Sequence, residues 1–207
     1  MSFAKKKYQI IRQAISKELA DIGYNYLQIS AEADHWMLQN GVTHEKNPLI
    51  GNFKDTQVPG SYAKYADRLM ETLLIKTIPV MKAKTGLDLI PTYSYTRLYR
   101  TGNILNRHKD RPSCEISTTL FLGGDKWPIY LEPSGEVGKK GTKINLNPGD
   151  MLVYKGCELE HWREKFEGED CAQVFLHYNR DTEENQKNIY DSRPHIGLPS
   201  FFRRDGV

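Results

Sequence analysis

Apolar residues recur at helical spacing in the first half of the chain and gather into short, evenly spaced runs in the second. Ile10, Ile11, Ala14, Ile15 and Leu19 share one face of a helix predicted over residues 8–19. A second helix is predicted to start near Ser61, a suitable N-cap, and to continue through Tyr65, Leu69, Leu73 and Leu74. Pro79 should kink or end it, and Gly86 is a good stop. Residues 40–60, rich in Gly, Pro, Asn and Lys, read as loop. Beyond them, β-prone runs cover 92–100, 115–122, 129–132, 143–146, 151–154, 159–162 and 171–178, with a tight-turn signature at Asn147-Pro148-Gly149-Asp150. Many short strands at this spacing predict a sandwich or barrel. The expected class is α+β with a mainly β core: a small barrel or jelly roll with N-terminal helices packed outside it. One domain is expected over 1–207, with a mainly helical support in 1–90, the β core in 91–180 and an extended tail in 181–207 laid over the barrel.

Composition narrows the function classes. Hydrophobic residues make up 39% and charged residues 27%, which suits an ordinary soluble chain rather than a disordered one. The net charge of +3 is too small to argue for nucleic acid or an anionic membrane as partner, and Lys5-Lys6-Lys7 reads as a short solvated run. With no apolar stretch long enough to span a bilayer and no signal-peptide pattern, a cytoplasmic location is expected. Cys114, Cys157 and Cys171 do not form a disulfide framework. The expected partner is a small molecule or peptide; the oligomeric state is open.

The candidate chemistry begins at His108-Lys109-Asp110. Alternation along a strand places this imidazole and carboxylate on one side. His161, inside a later β-prone run, can return beside them. Two histidines and a carboxylate make the facial triad of non-haem Fe(II) oxygenases, which leaves positions open for a bidentate oxo-acid and O₂. A bare His-x-Asp is common, but its surroundings are more specific. The run from Tyr99-Arg100-Thr101-Gly102 to Arg107-His108-Lys109-Asp110 resembles the strand–turn–strand that leads to the iron site in prolyl 4-hydroxylase-like 2-oxoglutarate oxygenases. Pro148-Gly149-Asp150-Met151-Leu152-Val153-Tyr154, followed by His161, is similar to the Gly-Asp-led strand before that family's distal histidine. The resemblance spans residues 92–199 and implies a double-stranded β-helix. It also implies Fe(II) held by His108, Asp110 and His161, 2-oxoglutarate and O₂ as co-substrates, and hydroxylation of an amino acid, a peptidyl residue or another small metabolite, with succinate and CO₂ released.

One departure from the family pattern stands out. Where a basic residue usually follows the distal histidine to hold the far carboxylate of 2-oxoglutarate, this chain has Asp170, Cys171 and Ala172. Tyr99 and Arg97, on one face of a strand, are the expected replacements, with Gln173 as a neutral alternative and Arg163 or Arg193 behind them. The bland reading is that Arg97 pairs with an acid and Tyr99 is core. His177 is a rival distal ligand. His35, His44 and His195 have no partner at ligand spacing. A structural zinc site from Cys114, Cys157, His161 and Cys171 is an alternative, although no C-x₂₋₄-C pair supports it. Arg111 and Arg163 adjoin presumed ligands and could orient them. Trp127, Tyr130 and Trp162 read as core. A cupin-like metal- or ligand-binding protein without catalysis is the competing function class.

Overall fold

The computed structural model describes residues 3–204. The expected β-prone runs, together with three further strands at 8–11, 62–65 and 105–108, form two antiparallel sheets. The larger has six strands in the order β1 (Tyr8–Ile11), β8 (Met151–Lys155), β5 (Ile116–Gly124), β10 (Asp170–Arg180), β3 (Leu89–Arg100) and β2 (Tyr62–Tyr65). The smaller has four: β4 (Leu105–His108), β9 (His161–Arg163), β6 (Ile129–Leu131) and β7 (Thr142–Ile144). The central strands β5 and β10 are buried along almost their whole length, as strands covered on both faces must be. After a one-turn helix α1 (Phe3–Lys6), three helices cover one face: there Leu98, Ile116, Leu120, Val174 and Leu176 pack with Leu27, Met70, Leu74 and Met81 of α2 (Lys17–Gln39), α3 (Arg68–Lys76) and α4 (Ile78–Thr85). On the other, Tyr99, Phe121, Tyr154 and Phe175 meet Leu105, Ile129 and Leu131 of the smaller sheet. Alternation therefore turns Tyr93, Tyr95, Arg97 and Tyr99 of β3, and Gln173, Phe175 and His177 of β10, into the space between the sheets.

Three expectations for the N-terminal half are corrected. Residues 8–19 are not one helix: Tyr8–Ile11 pairs with β8, and α2 begins only after Ser16, whose hydroxyl accepts from the Leu19 amide at 3.2 Å. The adjacent β-branched Ile10 and Ile11 fit a free sheet edge better than a helix. Most of α2 lies in a stretch where no helix was predicted. Its buried face is made of small residues, Ala20, Gly23 and Ala31 around Leu27, while Ile22, Ile29 and Trp36 point outward, so the apolar stripe is blurred. Ser61 is not an N-cap: its hydroxyl donates to Val58 O, β2 follows, and the helix starts at Asp67, which accepts from the Leu69 and Met70 amides. The break near Pro79 does separate α3 from α4, and Gly86 ends α4 at φ 75°.

The tail is also less extended than expected. It coils through 3₁₀ turns at Glu183–Ser192 and Ser200–Phe202, and Tyr190, Asp191 and Ser192 take left-handed φ values of 52°, 55° and 63°. Residues 205–207 of the expected tail lie outside the described residues. Its anchor is Arg193, whose side chain is fully buried against Glu71 at 2.7 Å and also donates to Thr92 O and Leu198 O. No helix among the described residues is long and apolar enough to cross a membrane. Removing one member of such a buried pair strands the other, so Arg193→Ala should cost about 3–5 kcal/mol in urea unfolding. Adding Glu71→Leu should recover part of that loss.

Candidate metal centre and its pocket

Strands β4 and β9 pair so that His108 lies opposite His161, with ring centroids 4.2 Å apart. The Nδ1 of His108 meets Asn106 O at 2.8 Å and that of His161 meets Leu159 O at 3.1 Å. A carbonyl can only accept, so each Nδ1 carries a proton, and in the neutral ring each Nε2 is left with a lone pair. Both Nε2 atoms face one oxygen, Oδ1 of Asp110, at 3.6 Å from His108 and 3.5 Å from His161. The three residues form a cluster in which one donor atom from each lies within 4.8 Å of the others.

Asp110 is held from behind. Its amide donates to Gly156 O at 3.0 Å, and its Oδ2 accepts from the Ser117 hydroxyl at 2.6 Å. A Cβ on Gly156 would come within 2.5 Å of Asp110 Oδ2 and 2.4 Å of Ser117 Oγ, so the bare backbone there is what admits the carboxylate. Burial by itself would raise the Asp110 pKa, but His161, His177 and the Ser117 hydroxyl hold it well below the usual carboxylate range. Burial and the neighbouring His161 push His108 down, which favours the neutral imidazole that binds a cation.

His177, the rival ligand, sits behind the cluster. Its Nδ1 lies 3.1 Å from Ser117 Oγ, its ring is 4.6 Å from that of Tyr93, and burial pushes its pKa down to about 4. Since the single Ser117 proton goes to Asp110, His177 donates to the hydroxyl: an imidazole–hydroxyl–carboxylate chain supports the outer oxygen. None of the cysteines joins the cluster. Cys114 is buried against Tyr93, Cys171 is buried near Gln173, and Cys157 donates to Arg111 O. His35, His44 and His195 are exposed. Ser117, Gly156 and the His177 chain escaped the sequence reading. The signal available was the run of hydroxyls Ser117-Thr118-Thr119, of which alternation turns the first and third inward, in a strand otherwise apolar apart from its closing glycines.

No protein-family model and no curated protein matches the chain. Solved structures do. A Pseudomonas putida prolyl-4-hydroxylase aligns over 87% of this chain and 96% of its own, with TM-score 0.56 and 14% identity. HygX from Streptomyces hygroscopicus, with nickel and 2-oxoglutarate bound, aligns over 86% and 85%, with TM-score 0.62 and 11% identity. A viral collagen prolyl hydroxylase from Paramecium bursaria Chlorella virus-1, in complex with 2-oxoglutarate, aligns over 84% and 97%, with TM-score 0.55 and 12% identity. This is the fold of the 2-oxoglutarate–Fe(II) oxygenases.

Within that oxygenase fold, the cluster opens onto a cavity of about 400 Å³ walled by Tyr93, Tyr95, Arg97, Tyr154 and Phe175. Arg97 reaches this wall, but its guanidinium is tied to Asp55 at 2.7 Å and Gln57 at 2.8 Å. Tyr99 and Gln173 lie deeper between the sheets. Gln173 accepts from the Thr119 hydroxyl at 3.0 Å, and the Tyr99 hydroxyl has no partner. Asp55, from the loop before β2, carried no sequence signal. Alanine at His108, Asp110 or His161 should abolish tight binding of a divalent transition metal while circular dichroism stays native. His177→Ala should keep the metal. Ser117→Ala, which removes the hydrogen bond behind Asp110, should weaken metal affinity by roughly 10- to 100-fold by calorimetry.

Proposed function

We propose that this protein is an Fe(II)- and 2-oxoglutarate-dependent oxygenase, most simply a hydroxylase of an amino acid, a peptidyl residue or another small metabolite. The observation that carries this reading is the convergence of two imidazole nitrogens and one carboxylate oxygen at the end of a pocket. Two nitrogens and an oxygen on one side suit Fe(II) and leave other coordination positions free. The two sheets are read as the halves of a double-stranded β-helix, with α2, α3 and α4 packed outside the larger one. Fe(II) and 2-oxoglutarate bound there would supply O₂ activation and oxidation of a substrate C–H bond, with succinate and CO₂ as co-products.

The chain's own residues have definite tasks in this reading. His108 and His161 are fixed in orientation by backbone carbonyls, and Asp110 by Ser117 and Gly156, so little ordering remains to be done when the metal binds. Tyr154 and Phe175 keep the floor of the cavity apolar and limit water. The substrate enters from the outer side, where the pocket shares Tyr93, Tyr95 and Arg111 with a second cavity of about 560 Å³. Arg111 is clamped to Asp191 by two hydrogen bonds of 2.9 and 2.7 Å, so the folded tail fixes that wall. A small-molecule or peptide substrate fits the company this fold keeps: one solved structure of HygX contains hygromycin B, and two of the aligned structures are prolyl hydroxylases.

Anaerobic loading with Fe(II) followed by 2-oxoglutarate should produce a weak visible charge-transfer band. Admitting O₂ should then convert the oxo-acid to succinate, even slowly and without a true substrate. Both signals should vanish with chelator and in Asp110→Ala. A fully metal-loaded protein that gives neither would be the non-catalytic binding protein instead.

A further inference from the structure

Among the described residues, three arginines are buried: Arg97, Arg163 and Arg193. Two have a carboxylate, Asp55 for Arg97 and Glu71 for Arg193. Arg163, 1% exposed, forms no ion pair with any described residue. Its Nη1 donates to Trp127 O, its Nη2 to Thr119 Oγ1 at 3.2 Å, and its Nε has no partner. A cation taken out of water without an anion is costly by several kcal/mol, and two neutral acceptors do not offset that. The Tyr99 hydroxyl is also fully buried without a partner. The two orphans are neighbours across one side chain: the Arg163 guanidinium carbon is 5.2 Å from the Trp127 ring and the Tyr99 ring is 4.8 Å from it.

We infer that Arg163 and Tyr99 form the anion subsite that holds the far carboxylate of the oxo-acid co-substrate, in place of the base missing at residues 170–172. This rests on the oxygenase reading. His161 and Arg163 both point inward from β9, separated by two residues, or about 6.6 Å of strand. Leu105, which lines the pocket, is the cross-strand partner of Arg163, as His108 is of His161. The metal cluster and the unpaired cation thus lie one inward layer apart on the same pair of strands, a spacing suited to a short dicarboxylate lying along them. The free Nε edge of a guanidinium matches a planar carboxylate, and the Tyr99 hydroxyl can donate to the same group. The Thr119 hydroxyl, which already links Arg163 to Gln173, fixes the guanidinium plane. Arg97 is excluded from this task because Asp55 already neutralises it. The subsite selects a 2-oxo dicarboxylate over a 2-oxo monocarboxylate.

The test is calorimetric titration of the Ni(II)-loaded protein with 2-oxoglutarate and with pyruvate, which needs no turnover. The wild type should bind 2-oxoglutarate more tightly than pyruvate by about thirtyfold or more, the size expected for a buried charge pair. Arg163→Met should lose most of that preference while nickel content and pyruvate affinity stay unchanged. Arg163→Lys should restore part of it. Tyr99→Phe, which removes a hydroxyl with no partner in the fold, should leave thermal stability intact and weaken 2-oxoglutarate several-fold. An Arg163→Met protein that keeps its preference overturns the assignment, as does one that loses both acids equally with nickel still bound. If nickel-loaded wild type binds neither acid, the oxygenase reading itself fails, and the subsite with it.

Discussion

A carboxylate drawn out of water between two imidazoles is the arrangement on which the inner part of this protein depends. Asp110 cannot be buried there cheaply. The structure compensates with a hydroxyl at 2.6 Å, a glycine that makes room for it, and a third imidazole behind the hydroxyl. Each of those partners comes from a different strand or turn. The larger sheet supplies Ser117 and His177, the turn after β8 supplies Gly156, and the smaller sheet supplies the two facing histidines. Holding one charged group therefore fixes the register of β4 on β9 and the position of that sheet over β5 and β10. The result is one donor atom from each of His108, Asp110 and His161 held within 4.8 Å of the others.

The same rule, that buried charge needs an opposite charge, distinguishes the three internal arginines. Arg193 with Glu71 fastens the tail to α3, and Arg97 with Asp55 fastens the loop before β2 to the pocket wall. Both are structural uses of a charge pair, and in both the cation has a carboxylate beside it, although the Nε of Arg97 has no hydrogen-bond partner. Arg163 has no such partner, and it stands beside a tyrosine hydroxyl that has none either. Arg163 is therefore the buried arginine with no carboxylate among the described residues, and it lies on the same pair of strands as His108 and His161 rather than at the surface.

The outer wall of the site depends on the tail. Three consecutive non-glycine residues in left-handed conformation turn Asp191 inward, where it accepts from Arg111 and Tyr65. Arg111 in turn lies over the Tyr93 ring, which packs on His177. Tail, pocket wall and the support behind Asp110 are thereby one connected set of contacts, although the tail is distant in sequence from the metal cluster.

Much of the β core and the metal cluster was legible in the sequence because both rest on short-range rules. Period-two alternation and turn residues located β3, β5, β6, β7, β8 and β10, and His108-x-Asp110 is a spacing that a strand end turns into a pair of donors. The helix α2 and the strands β1 and β2 were not legible, because their identity is set by what they pack on. Small residues make a helix face only when a sheet lies against them, and two isoleucines make a strand only when an edge is free. The choice between His161 and His177 as the third member of the cluster was likewise tertiary, since both end up inside the barrel and only the cross-strand register brings one to Asp110 and leaves the other behind Ser117. Whether Arg97 or Arg163 carries an uncompensated charge could not be read from spacing at all. Sequence shows where a cation is, but its partner comes from anywhere in the fold, and here that difference was decided by a loop aspartate forty-odd residues before Arg97.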